Sequence, residues 1–451
     1  KLRRYDEIHL SPDGDDTTGT GSMEAPFRTL EKARDMIRQW KEEGSVSSKG
    51  VTVLLHEGEY FLKNSFTLTE EDSGTVTAPI LYQPYGNDKV RINGGRGLDV
   101  SRFTPISGEM KNRLRDPAAR GKVLQAKLSD LGISQYEGIG IKHQAARYTL
   151  TAPLFELDGK KMALSRWPNG DSIEDWPKAH RVSYKKTTSD PFYEETNATK
   201  YFVTAYFNSE IPSAWSYRLD QVIFVGYWRY AWAAEYAYGT VDPVNKTFTS
   251  RHSIHYGDTK DFTKGREFRV FNVFEELDEP GEWYVDEDEE IMYFYPYEDT
   301  TAQSYLVKNE GDFDLIVVDG ASYVTFRGLD VSGGRQSGIV IKSGSNNLVS
   351  DCDLHLMQFA GIIVDGTRNG VDSSRIYHVG ERGAQLGQLE GGDLVGLTPG
   401  RNYVSNCVMH DYSMAKEVHS SGVYLEGVGN RVSHNEIYNA PYFGIQFLGI
   451  N

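Results

Sequence analysis

Cysteine is nearly absent. Two residues, Cys352 and Cys407, occur in a chain of 451, which excludes a disulfide-stapled scaffold and a cysteine-rich zinc module. They fall at equivalent positions of two repeat copies with a third copy between them. A bridge would have to cross that coil, which is beyond disulfide reach. Positive charge is also short. The chain has 48 Lys and Arg against 64 Asp and Glu, a net charge of −16, so no nucleic-acid partner is expected. No run approaches the ~18 apolar residues of a membrane-spanning helix, so no membrane partner is expected either. No metal-ligand spacing stands out. The carboxylates of the loop from Ser11 to Ser22 offer a place for a cation such as calcium, but a solvated loop is the default, and no cofactor is expected. Aromatics are plentiful, with 28 Tyr and 7 Trp. That suits carbohydrate stacking and equally suits a β-rich core.

What is present is a repeat. Five short apolar strands align: Gly338–Lys342, Gly361–Asp365, Gly383–Gly387, Gly422–Glu426 and Gly444–Leu448. Their glycines recur at intervals of 23, 22, 39 and 22 residues. A second series precedes them: Val324–Phe326, Val349–His355, Val371–Tyr377, Val404–His410 and Val432–Tyr438. A period near 22 marks a solenoid whose coils bury their faces only by stacking. The predicted fold is all-β, a right-handed parallel β-helix. The one long interval holds two insertions, Gly387–Asn402 and Asp411–Ser421, beside one strand row. Insertions on one face of a repeat array commonly form its binding face.

Three segments follow in order. Residues 1–97 begin with a strand at Ile8–Leu10. Phe27, Leu30, Ala33, Ile37 and Trp40 then recur at helical spacing, predicting an amphipathic helix over about 29–41 that caps the open end of the stack. Alternating pairs such as Val53/Leu55 and Ile80/Tyr82 read as the first coils. Residues 98–306 lose the period and read as an inserted antiparallel β domain of sandwich type. It holds six of the seven tryptophans, and the run Gly226–Ala233 with Trp228 and Trp232 suggests an aromatic patch. Residues 307–451 resume the β-helix. No capping element follows the strand at Gly444–Leu448, so further chain or a second subunit is expected to cover that end.

Several stretches resemble bacterial β-helix carbohydrate enzymes. They are Ile8–Gly14 with Ala25–Ala33, Ser165–Gly170 (Ser-Arg-Trp-Pro-Asn-Gly), Asn272–Tyr284, Gly391–Asn402 and Val428–Pro441. The chain is most similar to glycoside hydrolase family 141, with the β-helical family 120 xylosidases a looser relative. The resemblance implies hydrolysis of plant cell-wall glycans, xylan or fucose-bearing pectin, and a secreted or cell-surface location, with a cytoplasmic one left open. One departure stands out: Leu394-Val395-Gly396 follow Gly-Gly-Asp393 where relatives carry a charged residue.

The register supplies geometry independently. In each glycine-initiated strand the second and fourth residues face the core, and the third and fifth face outward. The outer columns are Val340, Ile363, Gln385, Tyr424, Gln446 and Lys342, Asp365, Gly387, Glu426, Leu448. Asp365 and Glu426 stand two coils apart, about 9–10 Å at a coil spacing of roughly 4.8 Å. Inverting glycosidases hold their acid and base about 6.5–9.5 Å apart. Gly387 between them leaves room for a sugar. Asp365 and Glu426 are therefore the catalytic candidates, with Asp393 in the first insert a third. Lys342, Gln385, Tyr424, Gln446, Glu390, Glu417 and His419 are candidates for substrate binding. Two other readings stay open. Lys342 beside Asp365 would serve a polysaccharide lyase, and a non-catalytic glycan-binding scaffold or adhesin needs no acid pair.

Overall fold

The computed structural model describes residues 6–133, 138–144, 147–151, 154–157, 160–170, 172–187, 200–298, 303–307, 313–387 and 398–447. It divides into two compact units, one of Lys1–Arg96 with Val307–Asn451 and one of Gly97–Leu306.

The first unit is a right-handed parallel β-helix built from three parallel sheets of eight, seven and seven strands. Strands from both sides of the inserted unit join in every sheet: Ile80 pairs with Val324, Phe66 with Ile316 and Arg91 with Asp330. Each coil therefore has three strands, where the sequence suggested two. The second series splits into pairs such as Leu348–Ser350 and Asp353–Met357. The breaks fall at Asp351, Ser373, Asn406 and His434, with φ of 55°, 51°, 56° and 57°. Short polar side chains tolerate this left-handed conformation better than apolar ones, so the corner forms without glycine.

The inward residues behave as the register requires. Ile339, Ile341, Ile362, Val364, Ala384, Leu386 and Val423 share one buried core. Helix Leu30–Glu42 adds Leu30, Ala33, Ile37 and Trp40 to that core. Its N-cap, Thr29, accepts from the Lys32 N–H at 3.2 Å and donates to Asp16 at 2.7 Å. Asp16 and Asp15 also accept backbone N–H groups of Arg28 and Thr17, so these loop carboxylates are engaged in capping and turns. Cys352 and Cys407 are buried free thiols. At the far end Ile445 and Phe447 align with Val423 and Leu425 yet are 53% and 65% exposed.

A column of asparagines lines one corner, buried at its first three members and half-buried at the fourth. Asn347, Asn369, Asn402 and Asn430 each accept a backbone N–H from the preceding coil, at 3.0 Å for the first and 2.9 Å for the others. The ladder runs across the first insertion without a break. It satisfies buried backbone groups whatever length of chain leaves the coil there.

The second unit contains two eight-stranded sheets and a hairpin. Most pairings are antiparallel, but Leu164 pairs with Trp283 in parallel. A long excursion between the two strands lets the second return in the same direction. Each large sheet has its own buried cluster, one around Trp215, Phe224 and Phe248 and one around Phe274, Tyr284 and Tyr293. Two of the stretches that carry the family resemblance meet here. Ser165 O accepts from the Asn272 N–H at 2.8 Å, and the Asn169 amide donates to Asp278 at 2.8 Å. Trp228 belongs to the core, donating from Nε1 to Glu235 O at 3.0 Å, so the expected patch narrows to Trp232 and its neighbours.

Candidate active site on the outer face of one sheet

The glycine-initiated strands form the seven-stranded sheet that includes Ala360–Val364, Arg382–Leu386, Ser421–Leu425 and Phe443–Phe447. Val340, Ile363, Gln385, Tyr424 and Gln446 pair in one row. The next row continues past the strands. The N–H groups of Lys342, Asp365, Gly387 and Glu426 donate to the previous coil at Val318, Ile341, Val364 and Leu386, over 2.7–2.9 Å. Asp365 and Glu426 are therefore two coils apart with Gly387 between. Gly387 has a backbone reason to be glycine: its φ is +84°, and a Cβ there would lie 2.4 Å from Glu426 O.

The asparagine ladder fixes both carboxylate-bearing residues. Asn369 donates to Asp365 O at 2.6 Å, and Asn430 donates to Glu426 O at 2.8 Å. The Asp365 carboxylate accepts the Gly366 N–H at 2.8 Å, and Glu426 Oε1 accepts the Tyr424 hydroxyl at 2.5 Å. Both acids are half-buried. Burial, then the hydrogen bond to the Glu426 carboxylate and its charge, push the Tyr424 phenol up to about 12. Tyr424 thus stays a protonated donor throughout neutral pH.

The outer row differs from expectation in one respect. Val340, Ile363, Gln385 and Tyr424 are all buried. Val340 and Ile363 pack with Ala360 and Phe359 in a small apolar cluster of their own. Gln385 is engaged within the protein, accepting from Arg382 at 2.5 Å and donating to Gly387 O at 3.3 Å. Gln385 is thus tied to Arg382 and to the backbone of Gly387, and Tyr424 to Glu426. Lys342 is exposed, and Gln446 is half-buried.

The two insertions join this strand row at opposite strand ends. The first leaves after Leu386. Its candidates Glu390 and Asp393 lie outside the described residues. The second enters before Ser421 and is pinned by Lys416, which pairs with Glu381 at 2.9 Å, both buried. Ser413 and Ala415 donate to Glu381 O and Gly380 O at 2.9 and 2.8 Å. Glu417 and His419 sit half-buried on this loop, the His419 ring 5.6 Å from Tyr442. Sequence reasoning missed Arg382, whose guanidinium lies 3.9 Å from the Tyr424 ring centre. A charged residue pairing with Ala360 in the next coil was the available signal. His355 and His410 occupy another sheet, where they alternate with Tyr377 and Tyr438 in a stack of rings.

Residues 308–450 match a family model described as "Right handed beta helix region", which with the parallel sheets defines the class of fold. Among individual proteins, the "Uncharacterized protein YwoF" of Bacillus subtilis (strain 168) is 31% identical over 136 residues. That stretch covers 30% of this chain and a quarter (25%) of YwoF. A solved structure titled "Glycoside hydrolase" is similar over 98% of this chain and 92% of its own, with 15% identity and a TM-score of 0.55. One titled "The complex structure of XylC with xylose" matches over 98% of this chain and 63% of its own, at 14% identity and a TM-score of 0.38. At 15% identity the likeness to the structure titled "Glycoside hydrolase" is one of fold alone.

Proposed function

We propose that the protein is a glycoside hydrolase acting on a plant cell-wall glycan of the xylan or fucosylated pectin kind, with Asp365 and Glu426 as its acid and base. The observation that carries this reading is the column Asp365, Gly387, Glu426, joined in register by backbone hydrogen bonds. Two coil steps amount to roughly 9–10 Å, which suits an inverting pair with a water and a sugar between. Glu426 accepts the Tyr424 hydroxyl, which fixes the direction of its carboxylate. In this reading Glu426 is the base that takes a proton from the attacking water. Asp365 is the acid that protonates the departing glycosidic oxygen. Lys342, Gln446, Glu417 and His419 contact the sugar hydroxyls. The similarity of fold to the structure titled "Glycoside hydrolase" supports the class. A net charge of −16 favours a neutral glycan over a polyuronate.

The test is incubation with xylan, arabinoxylan and pectic oligosaccharides, reading new reducing ends and the absorbance of unsaturated uronates. New reducing ends without that absorbance are expected. Asp365→Asn and Glu426→Gln should each lower kcat by roughly 10³-fold. Near-native rates in both variants would remove the pair. Unsaturated products would assign a lyase, with Lys342 the first base to examine.

A further inference from the structure

The inserted unit carries an exposed aromatic platform of its own. Tyr230 and Trp232 are 39% and 44% exposed. Their rings stack at 5.2 Å with only 13° between planes. Tyr256 meets both edge-on, at 5.8 and 5.1 Å. The support beneath is rigid. Glu235, which is buried, accepts the N–H groups of His255 and Tyr256 at 2.8 and 2.9 Å. Beside the rings Arg229 lies 5.3 Å from the Tyr230 centre and pairs with Asp258 at 2.7 Å.

The chemistry of the patch narrows its occupant. Elsewhere among the described residues of this unit the exposed large apolar side chains are Ile173 and Val244. A patch of two rings falls far short of the ~800 Å² per partner that a stable protein interface buries. A quaternary ammonium ligand needs a cage of rings around it. Rings stacked in parallel at 5.2 Å leave no such cage, and the Arg229 cation stands beside them. A pyranose fits both features. Its C–H face lies on a flat indole, and its equatorial hydroxyls reach a charged rim. Trp and Tyr also present this area with little loss of side-chain freedom.

We propose that Trp232, braced by Tyr230 and Tyr256, is a stacking platform for a pyranose ring of a neutral glycan, with the Arg229–Asp258 pair hydrogen-bonding its hydroxyls. The glycan class is that of the proposed function, but the platform does not depend on hydrolysis. The experiment is affinity electrophoresis of the full chain in gels containing soluble arabinoxylan, in the Glu426→Gln background so that the glycan is not cut. Added Trp232→Ala should weaken retardation by about tenfold or more, and Trp232→Phe should retain most of it. Retardation that Trp232→Ala leaves intact overturns the proposal, as does equal loss in Trp232→Phe and Trp232→Ala. So does no retardation of the parent protein. Absence of hydrolysis by the unsubstituted protein in the companion assay, with Trp232-dependent binding intact, would remove the hydrolase and leave the platform.

Discussion

The two units bury polar groups in different ways. In the β-helix one set stacks on copies of itself: the buried Asn347, Asn369 and Asn402 continue into the half-buried Asn430 as one ladder. In the inserted unit buried carboxylates are held by individual partners. Arg115 holds Glu276 and Asp278 at 2.7 and 2.6 Å. Trp215 Nε1 donates to Glu276 at 2.7 Å, and Glu282 accepts the N–H groups of Asp278 and Glu279. A ladder amide is neutral at every pH. A buried carboxylate keeps a charge that burial opposes. Burial raises Asp278 to about 6 and lifts Glu275, Glu282 and Glu287 above the ordinary range. In the β-helix, burial also works against the charge of Asp330, but the His355 hydrogen bond and the nearby His355 and Arg91 charges outweigh it. Its carboxyl ends below the usual value. The Ser405 hydroxyl does the same for Asp372.

Breaking the ladder should have the largest effect on this contrast. Asn402→Ala leaves the Asn369 N–H and the Gly366 carbonyl without their partner. A loss of about 3 kcal/mol is expected, confined to β-helix peptides when unfolding in urea is followed by hydrogen exchange. Equal loss in both units would mean that they unfold as one. The pH dependence sharpens the comparison further. Raised carboxylates contribute fully below their unfolded pKa and lose that contribution as pH rises through the folded value. The inserted unit should therefore lose on the order of 2 kcal/mol between about pH 4 and 7. Depressed carboxylates act in reverse, so the β-helix should weaken below about pH 4. Hydrogen exchange at pH 4, 5.5 and 7.5, corrected for intrinsic rates, reads both signs. The smallest effect is expected at Gly121 of the inserted unit, where an added Cβ meets nothing within 4 Å and φ is ordinary. Gly121→Ala should stabilise by about 0.5 kcal/mol in thermal melts.

The repeat made much of the β-helix legible. Counting from the glycines places Gln385 against Tyr424 and Asp365 two coils from Glu426, because a solenoid forces equivalent residues into one row. The corners at Asp351, Ser373, Asn406 and His434 were hidden because no glycine marks them. The burial of the outer row was signalled by Val340 and Ile363, two apolar residues where a solvated face would carry polar ones. Arg382 was missed because it stands just before Gly383, outside the columns counted from the glycines. In the inserted unit strands could be recognised singly. The parallel pairing of Leu164 with Trp283 joins segments far apart in sequence, and no periodicity reports it.

The ladder also bears on how the protein ages. Asn369 precedes Gly370, the sequence in which asparagine deamidates most readily, since a glycine N–H swings easily onto the amide carbon. Here that N–H is held by Asn347 O at 2.9 Å, and the Asn369 amide is held by Asp365 O at 2.6 Å. Ring closure to a succinimide needs both released. Conversion of Asn369 to aspartate therefore records the time this corner has spent open, a chemical clock set directly behind Asp365.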